Sequence, residues 1–304
     1  MKRFERVRFL SALFLLGCGL PLFPAGLAAD TIITFQANMG RKGEVVGSMA
    51  NNINIWNYAT EWLDRAETEN PNYFREHLPF VTYVQLMTAA GGSESRDLFL
   101  DPLNRRVLDD YNFGPLVRAC RNIERQGLIP HLKLGNVPLK LSDSPLISKA
   151  FGVNVRPPGD MQEWHRYIFA MAKTLVDTFG IEVVRLWRFG VFTEYENKDR
   201  LSVDDSPEAT RDAYFALYDY TVDALEKVVG KEVCVGAHSM TVADGLWDER
   251  EFITHCARGK NLCTGKRGTR LTFLAASFYD FKPGVSAKVS LAQTIQHLRE
   301  RAEK

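Results

Sequence analysis

Several features are missing from this sequence, and each absence removes a class of protein. Beyond the amino-terminal segment no stretch approaches the ~20 consecutive apolar residues of a membrane-spanning helix, so no transmembrane segment is expected. No Gly-x-Gly-x-x-Gly follows a candidate first strand, and no Gly-Lys-Ser/Thr phosphate loop occurs, so nucleotide-binding folds lose their best support. His255-Cys256 is a single adjacent pair with no second pair nearby, so the Cys-His spacing of a zinc motif is absent and no metal is called for. Charge of one sign is missing too. Setting aside residues 1–29, with Lys2, Arg3, Arg6 and Arg8 against Glu5, the chain keeps 34 basic and 36 acidic residues. No basic stripe remains to recommend a nucleic-acid partner.

What is present begins with a leader. The basic opening precedes an apolar run from Phe9 to Leu22 and a small-residue end, Ala25-Gly26-Leu27-Ala28-Ala29. That order is the pattern of a secretory signal peptide, removed near Ala29, and predicts a secreted or periplasmic protein. Leu15-Leu16-Gly17-Cys18 loosely matches a lipoprotein cleavage box, so a lipid anchor at Cys18 is the alternative. Four cysteines would remain. Cys120 and Cys234 sit in apolar patterns suited to buried thiols, whereas Cys256 and Cys263 flank a polar loop and could pair.

The 304 residues, 45% hydrophobic and 25% charged, suit one large globular domain over residues 30–304. Short apolar runs alternate with helical periodicity. Strands are expected at Thr31–Phe35, Pro79–Leu86, Leu128–Leu134, Ile181–Phe192, Glu232–Ala237 and Leu271–Ser277. The Gly- and Asn-rich segment to Asn54 reads as loop, and Ile55–Arg65 as a first helix. Further helices are expected over Tyr111–Gln126, from Asp160 to Phe179, from Ser206-Pro207 to Val229, over Asp248–Ala257 and over Leu291–Arg301. Asp160 with Glu163 has the spacing of a capping box, Ser206 is followed by Pro at the first helical position, and Gly127, Gly180 and Gly230 stand as stops. Units of roughly 40 residues, each a strand and a helix, predict a parallel sheet, either a closed barrel or an open doubly wound sheet. Without a dinucleotide fingerprint, the barrel is the better reading.

In a parallel barrel the chemistry sits at the carboxyl ends of the strands. The fourth predicted strand ends in Thr193-Glu194-Tyr195-Glu196-Asn197, a polar turn with two carboxylates. On the third, His131 and Lys133 alternate with Leu132 and Leu134, so one face is polar. A barrel interior near its mouth would explain that, and so would a solvated edge strand.

The segments Tyr111-Asn112-Phe113, Gly127 to Pro138, Pro157-Pro158, Trp164, Phe179-Gly180, Trp187 and Phe189-Gly190-Val191-Phe192-Thr193-Glu194 resemble, in order and spacing, family 39 glycoside hydrolases. The resemblance implies a (β/α)8 TIM barrel and a retaining glycosidase of a β-linked glycoside, with a carbohydrate as partner and no cofactor. It places Glu194 at the position of the general acid/base, with Glu196 as the competing carboxylate and a solvated loop pair as the plain alternative. Thr193, Tyr279, His131 and Lys133 are the expected substrate contacts.

Three departures accompany the resemblance. Thr193 stands where the family has Asn, and Ser277-Phe278-Tyr279 lacks the family's His, leaving Tyr279. By the count of predicted strands, only about six βα units precede Lys304, so the family's nucleophilic Glu at the end of a seventh strand is expected beyond the chain, in a barrel incomplete at its C-terminus. Two other functions stay open. One is a non-catalytic carbohydrate-binding or decayed barrel, with Trp187, Phe278 and Tyr279 stacking on sugars, although core packing explains Trp187 as well. The other is a Schiff-base enzyme using Lys133.

Overall fold

A computed structural model describes residues 52–58, 73–93, 97–241, 249–277 and 291–303. The expected strand Thr31–Phe35 lies outside these residues, as do the leader and most of the expected first helix. Six strands are described: β1 (Asn52–Ile55), β2 (Tyr83–Leu86), β3 (Ile129–Leu134), β4 (Arg188–Thr193), β5 (Cys234–Thr241) and β6 (Phe273–Ser277). Every neighbouring pair is parallel and the spatial order equals the chain order. That order decides between the two architectures left open by periodicity. A doubly wound sheet reverses its strand order once, whereas crossovers of one hand running steadily in one direction keep all helices on one face and curl the sheet into a barrel. The described strands are such an arc.

The helices are α1 (Tyr73–His77), α2 (Gly114–Arg125), α3 (Met161–Phe179), α4 (Ile181–Val184), α5 (Pro207–Val229), α6 (Glu249–Arg258) and α7 (Leu291–Ala302). Their boundaries follow local chemistry. Asp160 caps α3 by accepting from the Gln162 N–H, and Ser206 caps α5 by accepting from Ala209. The carboxylate of Glu163 engages Arg166, so the expected capping box contributes its Asp160 half. Gly127, Gly180 and Gly230 all take positive φ where α2, α3 and α5 stop, a conformation that costs glycine nothing. On α2 the predicted face of Leu116, Ala119, Cys120 and Ile123 is fully buried.

Two expected elements differ. Asn52–Ile55 is a strand, not a loop leading into a helix; it pairs in register with β2, from Asn52 opposite Tyr83 to Ile55 opposite Leu86. The alternation Asn-Ile-Asn-Ile sends Ile53 and Ile55 into the core, as a period of two requires. The second correction concerns Ile181–Phe192, expected as one strand. Ile181–Val184 forms a helical turn and the strand begins only at Arg188. Arg185 explains the turn: its Nε donates to the Val229 carbonyl at the end of α5, 3.3 Å away, while its guanidinium pairs with Glu182. A cation at a helix C-terminus satisfies an orphan carbonyl, and this tie fixes the connection before the strand starts. Trp187 consequently lies just ahead of β4, packs against Phe179 and donates from Nε1 to Glu124 on α2. It is a core residue.

All described residues belong to one unit, Val46–Lys304. Its core lies between the sheet and the helices, where Leu132, Leu134, Phe189, Val191, Val235 and Ala237 meet the apolar faces of α2, α3 and α5.

Candidate active site

Residues alternating with that core face the concave side of the sheet. His131 on β3 and His238 on β5 touch, with ring centroids 4.8 Å apart, although β4 runs between their strands. They can do so because β4 offers Gly190 at the crossing. A Cβ there would fall 2.5 Å from His238 Nδ1 and 2.9 Å from its Cα, so any side chain would displace His238. Phe273 of β6 closes on His131 edge-on at 5.6 Å. On β4, level with His131, Arg188 stacks on Tyr83 of β2 at 3.8 Å.

His131 and Lys133 are both buried, which excludes the solvated edge strand as their explanation. Burial, with the Arg188 charge next, holds His131 down to about 4, and burial likewise keeps His238 well below its usual range. Both imidazoles are therefore neutral near pH 7. Neither ring nitrogen of His131, nor Nδ1 of His238, has a hydrogen-bond partner among the described residues.

The carboxyl ends of β3, β4 and β5 form the rim. β4 finishes in an irregular backbone: Phe192 and Glu194 both take left-handed φ, 59° and 47°. For a bulky residue such as Phe that conformation is strained, and it re-aims the side chains that follow. Gly135 makes it possible, since a Cβ there would meet Phe192 Cδ2 at 2.4 Å. The Glu194 N–H donates to the Ser239 carbonyl of β5 at 2.8 Å, and its own carbonyl accepts from Asn197. Tyr195 then lies flat on Tyr214 of α5, with centroids 4.0 Å apart and planes 6° from parallel. Strand end, turn and helix are locked together, and Glu194 is left buried at 6% exposure.

Lys133 Nζ donates to Asn136 Oδ1 at 3.1 Å, and the Asn136 amide donates to the carbonyls of Asn154 and Arg200. The loops leaving β3 and β4 are thereby tied to each other beside the rim. Arg200 stacks on Phe151 at 3.3 Å and reaches Trp56 at the end of β1. Asp97, after β2, accepts from the Leu139 N–H of the β3 loop.

Of the residues expected from sequence, Thr193 and Glu194 lie at the rim and Lys133 just below it. His131 sits deeper, level with the first residue of β4. Glu196 is half-buried two residues beyond Glu194. Phe278 and Tyr279 fall outside the described residues. The buried Thr193 hydroxyl has no partner among the described residues. Sequence reasoning missed His238, Ser239 and Asn136. The predicted fifth strand stopped at Ala237, one residue short of His238, although His238 continues the alternation of Cys234 and Gly236. Asn136 has one near partner, Lys133, but the two carbonyls that make it a tie between loops are 18 and 64 residues away. Cys256 and Cys263 are both free, and Cys234 is half-buried rather than buried.

Six sequential parallel strands, helices on one face and a carboxylate ending the fourth strand define a protein of the (β/α)8-barrel class. Comparison narrows this to a family. Glycosyl hydrolases family 39 matches residues 104–304, and the chain belongs to that family. A β-xylosidase of Geobacillus stearothermophilus is 28% identical over 147 residues, covering 48% of this chain and 28% of the relative. One from Caldicellulosiruptor saccharolyticus is 26% identical over 182 residues, covering 58% of this chain and 35% of the relative. The chain thus spans about a third of the length of the relatives it matches. A solved structure of a monomeric β-xylosidase from Caulobacter crescentus shares the fold at a TM-score of 0.61 with 20% identity, covering 87% of this chain and 51% of that one.

Proposed function

We propose that this chain forms part of a retaining glycosidase that cleaves a β-linked glycoside of the xyloside type, with Glu194 as general acid/base. The observation that carries the reading is the position of Glu194: a buried carboxylate on a strained, immobilised backbone at the carboxyl end of the fourth strand. A catalytic acid must deliver a proton to the leaving glycosidic oxygen and then take one from water. Fixing its backbone to Ser239 and stacking the next residue on Tyr214 supply the rigidity such a role demands. Thr193 brings a buried hydroxyl with unused hydrogen-bonding capacity, suited to a sugar hydroxyl. Lys133 is held by Asn136 and supports a substrate contact better than a Schiff base. The names of the matched relatives support the xyloside class.

Retaining chemistry requires a second carboxyl group about 5–5.5 Å from the first. By family resemblance we place it at the end of a seventh strand, which is not among the described ones. The basic start and apolar run of residues 1–29 support export.

The test is Glu194→Gln in the full-length enzyme, assayed on aryl β-xylosides with good and poor leaving groups. Loss of acid catalysis should slow the glycosylation step of the poor leaving group by about 10²–10⁴-fold and spare that step for the good one, whose turnover is then limited by the lost general base and is restored by added azide. Equal turnover of both by the variant would remove Glu194 from the mechanism. Sugar binding without any hydrolysis by the wild-type enzyme would favour the carbohydrate-binding alternative.

A further inference from the structure

On the outer layer, away from the barrel mouth, three potential metal ligands of different chemistry converge. His165 belongs to α3, Asp223 to α5, and Cys263 to the loop between α6 and β6. One ligand atom from each lies within 4.8 Å of the other two. His165 Nε2 is 2.7 Å from Asp223 Oδ2, and the Cys263 Sγ lies within 4.8 Å of a ligand atom of each. We propose that His165, Asp223 and Cys263 form a three-ligand site for a zinc-class divalent ion that clasps the 259–272 loop to the α3–α5 pair.

The scaffold argues for a built site. Asp219, one turn before Asp223 on the same face of α5, accepts from the Leu262 N–H at 2.7 Å and from His255 Nε2 at 3.0 Å, and bonds to the Thr269 hydroxyl. Asn261 Oδ1 in turn accepts from the N–H groups of Cys263 and Thr264. The loop is therefore fixed before any ion arrives, with the thiol placed within 4.8 Å of the Asp223 carboxylate. Ligands on rigid elements lose little freedom on binding, which favours affinity. A polar cavity of about 540 Å³, lined in part by Asp223, Asn261 and Thr264, opens beside the Asp223 ligand.

The donor set selects the ion. Thiolate sulfur, imidazole nitrogen and carboxylate oxygen together suit a borderline ion such as Zn²⁺ better than Mg²⁺ or Ca²⁺, which want oxygen alone. Binding would release the Cys263 thiol proton to solvent and displace the Lys227 ammonium, which now sits 2.7 Å from Asp223 Oδ2. Lys227 is largely exposed and free to swing away. Burial and the Asp223 charge push the Cys263 thiol up to about 11, so without a metal it is a poor nucleophile. That disfavours a catalytic Cys-His pair. Sequence spacing gave no hint of this cluster, because each ligand comes from a separate element.

The test is titration of the intact chain with Co²⁺ at neutral pH, followed by Zn²⁺ competition. Expected is a thiolate-to-cobalt charge-transfer band in the near ultraviolet that Zn²⁺ abolishes, with a melting temperature raised by Zn²⁺ and lowered again by chelator. Cys263→Ser should remove the band, whereas Cys234→Ser should keep it. His165→Gln should weaken Zn²⁺ by at least the 10–100-fold that loss of an outer-shell partner costs. Lys227→Met, which removes the competing cation, should tighten it several-fold. No band in the wild type, a band surviving in Cys263→Ser, or unchanged affinity in Lys227→Met would overturn the proposal.

Discussion

The α3–α5 helix pair and the concave face of the sheet treat buried polar groups in opposite ways. Between α3 and α5, Trp164 Nε1 donates to Thr221 Oγ1 at 2.8 Å and the Thr221 hydroxyl in turn donates to the Leu217 carbonyl. Asp219, fully buried, is surrounded by donors. On the concave face, His131, His238 and Thr193 are equally buried, yet they hold polar atoms that no described residue satisfies. An unmet buried donor or acceptor costs about 1–3 kcal/mol, so a fold keeps such groups where something else will use them. The α3–α5 pair spends its polar groups on stability. The concave face keeps them available.

Four experiments would break or sharpen this contrast. The largest effect belongs to Glu194→Gln, where the loss of up to about 10⁴-fold in rate should come with a cooperative melt close to wild type, a split that a structural role would not give. Next is Asp219→Ala on the outer layer. It orphans His255 and the Leu262 N–H together and should cost about 3–5 kcal/mol in urea unfolding, while leaving kcat nearly unchanged.

Third is the pH dependence contributed by His131. Its folded value near 4 lies below the ~6.5 of an unfolded histidine, so the unfolded chain takes up the proton first. This contribution to stability is complete above about pH 6.5 and is lost as pH falls through the folded value, at most about 3 kcal/mol. His238 is shifted the same way, and Lys133 and Arg188 add positive charge nearby. Urea midpoints at neutral pH and at about pH 4.5 should differ less in His131→Gln than in the wild type. An equal difference would mean that the imidazole takes no part in acid unfolding.

The smallest effects come from a matched pair. Thr221→Val strips the Trp164 indole of its acceptor and should cost about 1–3 kcal/mol. Thr193→Val makes the same chemical change where the hydroxyl has no partner among the described residues, and should leave stability within about 0.5 kcal/mol while raising KM. Equal destabilisation by both would end the distinction between the two regions.

How much of this was legible beforehand varied with the range of the interaction involved. The helix caps at Asp160 and Ser206 and the stops at Gly180 and Gly230 were readable, because a cap is a contact across two or three residues. The apolar run from Ile181 was not. Its first turn is helical because Arg185 reaches a carbonyl 44 residues ahead, and no window of sequence holds both partners. β1 carried its alternation in Asn52–Ile55, but the surrounding asparagines masked it, and its pairing partner lies beyond α1 in the chain. At the rim, the Thr193-Glu194 end of β4 could be found from the strand and its polar turn. The contact of His131 with His238 could not, since it needs β4 laid between them with Gly190 at the crossing.

By itself the sequence determined the alternation of strands and helices, the caps that bound them and the strand that ends in a carboxylate. Each of these is set by propensity, periodicity or a hydrogen bond within one turn. Only the tertiary structure decided that the strands lie in chain order, that Glu194 is held by Ser239 and Tyr195 by Tyr214, and that His165, Asp223 and Cys263 meet. Those outcomes depend on groups tens of residues apart, brought together only when burial of the shared core repays the entropy of closing the loops between them.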